Sequence, residues 1–130
     1  MIVVDASALL EVLLLRPAAS DVESWLSQAN QTIHAPYLID VEVTQVIRRF
    51  ALQGKIDNQR GRSVIEDYSL MSIRRYPHTP FLFRAWELRN NFSAYDAIYI
   101  ALAESLDVPL ITCDRRLAGA AGHSARIEVI

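Results

Sequence analysis

The sequence predicts an α/β protein in which a mostly parallel central sheet lies between two layers of helices. Short apolar strands alternate with helical segments along the whole chain, and this alternation is typical of parallel sheets covered on both faces. The chain has 130 residues, of which 52% are hydrophobic and 22% charged, as is ordinary for a globular protein. We therefore expect residues 1–130 to form a single domain.

Two strands and four helices are predicted in the first half of the chain. The strands are short apolar runs, and the helices repeat apolar residues every three or four positions. The predicted strands are 2–4 and 31–35, and the predicted helices are 7–15, one that begins after Ser20, 36–53 and 57–70. Ser20 and Glu23 have capping-box spacing, which predicts Ser20 as an N-cap. Pro17 and Gly54 are expected to end the helices that precede them.

Three strands and two helices are predicted in the second half. The strands are 73–76, 109–113 and 127–130, and the helices are 80–88 and 93–106. Ser93 has the residue type of an N-cap for the second of these helices. The four aromatic residues expected to pack in the core are Trp25, Trp86, Tyr95 and Tyr99.

Cysteine content and apolar patterning indicate the compartment. A single cysteine excludes an internal disulfide and favours a reducing environment. The first residues lack the basic segment and cleavage site of a secretory signal, and the apolar stretches are too short to span a bilayer. We therefore expect a cytoplasmic protein with no membrane association.

Two aspartates follow apolar strands at opposite ends of the sequence. Asp5 follows strand 2–4, and Asp114 follows strand 109–113. Ligands of open α/β sheets bind beyond the carboxyl ends of the strands, so these acids are expected to meet there, with Ser7 and Thr112 as nearby hydroxyls. Gathered carboxylates repel one another unless a cation holds them, which predicts a metal site. The alternative is that each aspartate caps a helix or forms a turn.

Two further acids are candidates for the same site. Asp96 lies three residues after Ser93, so it fits either a capping arrangement or a site at the helix N-terminus, and the two roles are compatible. Asp40 and Glu42 lie on one helix about 200° apart, because each residue turns the helix by roughly 100°. Only one of them can face the site, and the spacing does not choose between them.

Other catalytic patterns are missing from the sequence. The three histidines lack metal-ligand spacing, and there is no glycine-rich phosphate loop or serine hydrolase elbow. A metal-dependent phosphatase on a doubly wound sheet often carries Asp-x-Asp after the first strand, but the residue two after Asp5 is Ser7. These observations disfavour a metalloprotease, a protein that binds nucleotides through a glycine-rich loop, and a phosphatase.

Four segments in this order resemble the PIN-domain ribonucleases, specifically the VapC toxins of VapBC toxin–antitoxin pairs. The segments are 2–9, 40–43, 95–104 and 110–117, and the resemblance covers essentially the whole chain. It implies a PIN-like three-layer fold and a catalytic, metal-binding quartet of Asp5, Glu42, Asp96 and Asp114, so it selects Glu42 over Asp40. It also implies an endoribonuclease that uses Mg²⁺ or Mn²⁺, a VapB-type antitoxin and a homodimer.

RNA phosphates must approach this acidic cleft. The net charge of −2 does not by itself suggest a nucleic-acid binder, but three arginine doublets are present and arginine suits phosphate. Arg89 and Arg115 are closest to the motifs and are our candidates for RNA contacts, with single-stranded or loop RNA as the expected target. A noncatalytic RNA- or protein-binding module and a DNA-directed nuclease are the other interpretations.

Overall fold

A computed structural model describes residues 1–130 and contains one five-stranded sheet in the order β3-β2-β1-β4-β5. The strands are β1 (Ile2–Val4), β2 (Ile33–Pro36), β3 (Ile73–Tyr76), β4 (Leu110–Thr112) and β5 (Ile127–Val129). All four pairings between neighbouring strands are parallel. The predicted parallel sheet is confirmed, with each strand within two residues of its expected position.

Seven helices connect the strands and cover the sheet. They are α1 (Ala6–Leu13), α2 (Ala19–Leu26), α3 (Leu38–Leu52), α4 (Asn58–Ser69), α5 (Leu82–Glu87), α6 (Ala94–Leu106) and α7 (Arg115–Gly119). The connections from β1 to β3 run towards one edge of the sheet, and those from β3 to β5 run back. Since such crossovers are right-handed, α1–α4 cover one face and α5–α6 the other. The three-layer α/β/α architecture is therefore as predicted.

The reversal of strand order falls between β1 and β4. Val3 pairs with Leu110 and Val4 with Ile111, so Asp5, the first residue after β1, lies beside Thr112, the last residue of β4. Such a reversal opens a crevice at the carboxyl ends of the two strands, because their following helices lie on opposite faces. The residues just after β1 and β4 therefore line this crevice.

The helix boundaries depart from the sequence predictions at several points. The capping box at Ser20 is wrong: α2 begins at Ala19, and its N-cap Ala18 makes no side-chain capping bond. The Glu11 carboxylate instead accepts a hydrogen bond from the Ala18 backbone N–H at 3.1 Å, which fixes the turn before α2. The first helix ends well before Pro17, because Leu15 adopts a left-handed conformation with φ of 53°.

Pro80 does not open the fifth helix. It lies in a 3-10 turn, Thr79–Phe81, which continues into α5. The expectation that the aromatic residues pack in the core holds for Tyr99, which is 2% exposed, and for Trp25, which is partly buried against the core. It is wrong for Trp86 and Tyr95, which are 66% and 62% exposed. No helix in the structure is both long enough and apolar enough to cross a bilayer.

Candidate active site

Asp5 lies at the floor of the crevice with both carboxylate oxygens hydrogen-bonded. Its Oδ1 accepts from the Ser7 hydroxyl at 2.7 Å and from the Ala8 backbone N–H at 3.0 Å. Its Oδ2 accepts from the Thr112 hydroxyl at 2.5 Å. Asp5 is therefore the N-cap of α1 and a buried acid of the crevice at once, because β1 ends where α1 begins.

The Ser7 and Thr112 hydroxyls also hold the chain that follows β4. The Ser7 Oγ accepts from the Cys113 backbone N–H at 2.9 Å, and the Thr112 Oγ1 accepts from the Asp114 N–H at 3.0 Å. The two hydroxyls thus connect the segments after β1 and β4 through Asp5. Both residues lie where the sequence predicted supporting hydroxyls.

Asp96 and Asp114 each lie at a helix N-terminus beside the crevice. The Ser93 hydroxyl caps α6 by accepting from the Asp96 N–H at 3.1 Å, as predicted, and the Asp96 side chain lines the cavity. Asp114 caps α7 by accepting from the Arg116 N–H at 3.0 Å, and it also accepts from the Arg116 guanidinium at 2.5 Å. Capping and site formation are therefore compatible for each acid.

The structure separates Asp40 from Glu42. Glu42 lines the cavity and accepts a hydrogen bond from the Tyr99 hydroxyl at 2.5 Å. Asp40 points away from it, accepting from the Arg75 Nε at 2.8 Å and from the Tyr68 hydroxyl at 2.5 Å. The geometry places Glu42, rather than Asp40, with the other acids.

The four predicted acids line one open cavity of about 490 Å³. Burial is the main cause that raises the pKa of Asp5, Glu42 and Asp96. Neighbouring carboxylates raise these pKa values further: Asp114 acts on Asp5 and Asp96, and Asp5 and Asp96 act on Glu42. The pKa of Asp114 is lowered by its bonds to Arg116. The cavity is therefore electrostatically unfavourable for its own anions.

The chemistry of this donor set fits a hard divalent cation. The cavity offers carboxylate oxygens and no histidine, which suits Mg²⁺ or Mn²⁺. No three Asp, Glu, His or Cys side chains lie close enough together to bind an ion by themselves. Such cations keep several bound waters, so the carboxylates need to supply only part of the coordination shell.

The two arginines predicted to contact RNA do not line the cavity. The Arg89 guanidinium lies over the Trp86 ring, 4.5 Å from its centroid, and Arg115 is exposed at the start of α7. Arg16 and Arg49 line the cavity instead. Arg49 follows Glu42 by seven residues, two turns of helix, so its helical spacing is the signal that sequence reasoning missed.

Comparison with known proteins agrees with this geometry. A family model described as the PIN domain matches residues 2–122. Ribonuclease VapC12 of Mycobacterium tuberculosis is 44% identical over 130 residues, which cover 100% of this chain and 99% of that protein. The crystal structure of Mycobacterium tuberculosis VapC20, a sarcin-ricin loop cleaving toxin, matches 95% of this chain and 100% of its own with a TM-score of 0.70 at 12% identity. A toxin–antitoxin complex from Klebsiella pneumoniae matches 92% of each chain with a TM-score of 0.64 at 18% identity.

Proposed function

This chain belongs to the PIN-domain family, and we propose that it is a metal-dependent endoribonuclease toxin of the VapC type. The observation that carries the proposal is the convergence of Asp5, Glu42, Asp96 and Asp114 on one cavity at the strand-order reversal. The 44% identity with a ribonuclease VapC over the full chain supports the same activity.

The proposed reaction is hydrolysis of an RNA phosphodiester. Water attacks the phosphorus and loses a proton to solvent or a carboxylate. The bond from phosphorus to the leaving ribose oxygen breaks, and that oxygen takes up a proton from solvent to become a hydroxyl. A bound Mg²⁺ or Mn²⁺ would polarise the phosphoryl oxygen, acidify the water and neutralise the leaving oxygen. Asp5 and Asp96 would be the central ligands of this cation, and Glu42 and Asp114 would complete the site directly or through water. Ser7 and Thr112 hold Asp5 in place through their hydroxyls.

Two other functions are less well supported. A noncatalytic RNA- or protein-binding module has no need to keep four mutually repelling acids in one cavity. A metal-dependent phosphatase often has a second aspartate two residues after the first. Here that position is Ser7, which donates a hydrogen bond to Asp5. A DNA-directed nuclease is separated from the proposed function by competition between RNA and DNA of matched sequence.

The first experiment is cleavage of total RNA with Mg²⁺ or Mn²⁺, with and without EDTA, by the wild type and by Asp96→Asn. We expect metal-dependent cuts from the wild type and none from the variant. Asp96→Asn keeps the Ser93 cap, because that bond uses the Asp96 backbone N–H. Equal cleavage by both proteins would contradict the assignment of the site, and no cleavage by either folded protein would favour a binding module.

A VapB-type antitoxin is the proposed protein partner, and it is expected to cover the cavity. The full-length similarity to a VapC protein and the structural neighbour in a toxin–antitoxin complex support this. The test is to express tagged Asp5→Asn protein in its own host, identify the small protein that co-purifies, and add that protein to the RNA cleavage assay. Loss of cleavage at a stoichiometric amount is the expected result, and unchanged cleavage would exclude it as the antitoxin.

A homodimer is also proposed, with an exposed apolar face on α5 and the start of α6 as its interface. Leu82, Phe83, Trp86 and Tyr95 are 54%, 86%, 66% and 62% exposed, and clustered exposure of this kind marks interaction surfaces. Sedimentation velocity should show a dimer that Phe83→Glu dissociates. Leu70→Glu is the matched control, because Leu70 is 84% exposed at the end of α4 in the other helical layer. Equal dimerisation by both variants would exclude this face.

We further propose that residues 1–130 act as one domain in the cytoplasm. A single sheet and one cluster of 28 buried core residues support the single domain. The sequence has a single cysteine and therefore no internal disulfide, and this composition supports a reducing compartment.

A further inference from the structure

The face of α3 that enters the catalytic cavity continues beyond Glu42. Gln45, Val46, Arg49 and Phe50 line the same cavity, and their spacing puts them on one side of the helix. At about 1.5 Å of rise per residue, Arg49 and Phe50 lie roughly 10–12 Å along the helix axis from Glu42. The cavity therefore has an acidic part near the strand ends and a basic, aromatic part near the end of α3.

Two cations lie beside the Phe50 ring, and neither belongs to an ion pair. The Arg49 guanidinium carbon is 5.9 Å and the Lys55 Nζ is 5.1 Å from the ring centroid. None of the seven ion pairs of the structure includes either residue. Arg16, the other cation of the cavity wall, lies 3.3 Å from a Glu11 carboxylate oxygen and is partly neutralised. Of the two arginines that line the cavity, the one without an acidic partner is therefore Arg49, beside Phe50.

This combination matches the chemistry of a single RNA strand. Each nucleotide offers a phosphate, which guanidinium and ammonium groups bind, and a flat base, which stacks on an aromatic ring. Most exposed cations only increase solubility, and Arg48 is an example, because it is exposed and does not line the cavity. Arg49 is also exposed, but it lines the cavity. Position on the cavity face therefore distinguishes Arg49 from an ordinary surface arginine.

We propose that Arg49, Phe50 and Lys55 form a binding track for single-stranded RNA that leads away from the catalytic carboxylates. Arg49 and Lys55 contact backbone phosphates, and Phe50 stacks on an unpaired base. Both cations have long, exposed side chains, so either one swings from the ring to a phosphate as the base takes its place. The inference rests on the proposed ribonuclease function, and it requires the RNA on that side of the cut to be unpaired.

The test measures binding of a short, fluorescein-labelled, unstructured RNA of mixed sequence by fluorescence anisotropy, with Asp96→Asn present in every protein to prevent cleavage. Arg49→Gln should weaken binding about fivefold or more and reduce the slope of log Kd against log salt by about 0.7, the contribution of one phosphate on a single strand. Phe50→Leu should weaken binding about fivefold or more through lost stacking, with the salt slope unchanged. Lys55→Gln should act like Arg49→Gln, and duplex RNA should compete poorly.

Arg48→Gln is the matched control, because it removes the same charge from the same helix outside the cavity, and it should change neither affinity nor slope. Phe50→Tyr keeps a stacking ring, so it should restore the binding that Phe50→Leu loses, whereas a purely structural loss would follow thermal stability. If Arg49→Gln and Phe50→Leu bind like Arg48→Gln, or if duplex RNA competes as well as single strands, the track is overturned.

Cleavage of total RNA by the protein without Asp96→Asn separates this inference from the proposed function. Cleavage by the wild type together with unaltered binding by the track variants would overturn the track and leave the ribonuclease standing. RNA binding that depends on Arg49 and Phe50 without any cleavage would support the track and overturn the ribonuclease. The absence of both binding and cleavage would overturn both.

Discussion

Asp5 illustrates how one residue combines a structural and a chemical role. It is 8% exposed and accepts three hydrogen bonds, so its removal affects both the α1 cap and the cavity. We expect Asp5→Asn to lose RNA cleavage and to keep the free energy of unfolding within about 1 kcal/mol of the wild type. The amide oxygen still accepts from Ser7 and Ala8, and the amide NH₂ donates to Thr112 after its hydroxyl rotates. RNA cleavage and urea unfolding measure the two effects.

Asp5→Ala is the control for this prediction. It removes the cap and leaves two hydroxyls without their acceptor, so it should cost about 1–2 kcal/mol more than Asp5→Asn. Wild-type cleavage by Asp5→Asn would falsify the assignment of Asp5. Equal stability of the alanine and asparagine variants would show that the hydrogen bonds to Asp5 contribute little to folding.

Single residues were predicted from the sequence where local chemistry alone decides their place. Asp5 and Asp114 were found because they end apolar strands, and both lie in the cavity and also cap helices. Spacing did not choose between Asp40 and Glu42, since that choice depends on which side of α3 meets the sheet. Arg89 is near the acidic motifs in sequence, but its guanidinium lies over Trp86 and not in the cavity.

At the scale of elements, α3 carries two acids with separate functions. Asp40 joins α3 to β3 and α4 through Arg75 and Tyr68, whereas Glu42 faces the cavity. We expect Asp40→Asn to retain RNA cleavage and to lose about 1 kcal/mol of stability, because Arg75 keeps a hydrogen bond but loses its opposite charge. Glu42→Gln should lose cleavage. Both variants are compared by total-RNA cleavage and urea unfolding, and the reverse pattern would exclude Glu42 from the site.

A second polar cluster joins α5, α6 and the loop before β5. The Glu104 carboxylate accepts from the Arg84 Nε at 2.8 Å and from the Ser124 backbone N–H at 2.8 Å. The bonds from Arg84 lower the pKa of Glu104 below its usual 4.5. A carboxyl whose pKa is lowered by folding stabilises the folded state above its usual pKa, and this contribution is lost as the pH falls through the lowered pKa.

Glu104→Gln should therefore reduce stability by about 1–2 kcal/mol at pH 7, with the difference from the wild type shrinking as the pH falls below about 4.5. Urea unfolding between neutral and acid pH measures this. Glu87→Gln is the matched control, because Glu87 binds the same Arg84 at 2.9 Å but is 62% exposed. It should cost only a few tenths of a kcal/mol. A pH-independent difference for Glu104→Gln would contradict the ionic origin.

Elements were predicted best where an apolar pattern was long or clearly bounded. The strands and α6 follow directly from such patterns, and the α6 cap at Ser93 is confirmed. The five-residue α7 went unpredicted because it buries only Leu117 and has no periodicity to detect. The start of α2 differs from the prediction because the Glu11 carboxylate, seven residues before Ala18, accepts a hydrogen bond from the Ala18 N–H, so no local hydroxyl is needed.

At the scale of the whole molecule, the strand order brings acids that are distant in sequence into one cavity, where their negative charges repel one another. A cation that binds this group in the folded chain, and not in the unfolded chain, must raise the free energy of unfolding, by about 2.7 kcal/mol when its concentration is 100 times its Kd. We therefore expect Mg²⁺ or Mn²⁺ to raise the Tm of the wild type and EDTA to reverse the shift.

The distribution of charge decides which variants lose that Tm shift. Asp96→Asn removes an acid that lines the cavity, so the shift should shrink, whereas Asp40→Asn removes an acid outside the cavity and should keep it in full. Sodium chloride at matched ionic strength corrects for general screening, which acts on all surface charges alike. Because this measurement needs no RNA, it tests the cation site independently of substrate choice. An equal shift in both variants would mean that the cation binds outside the four carboxylates.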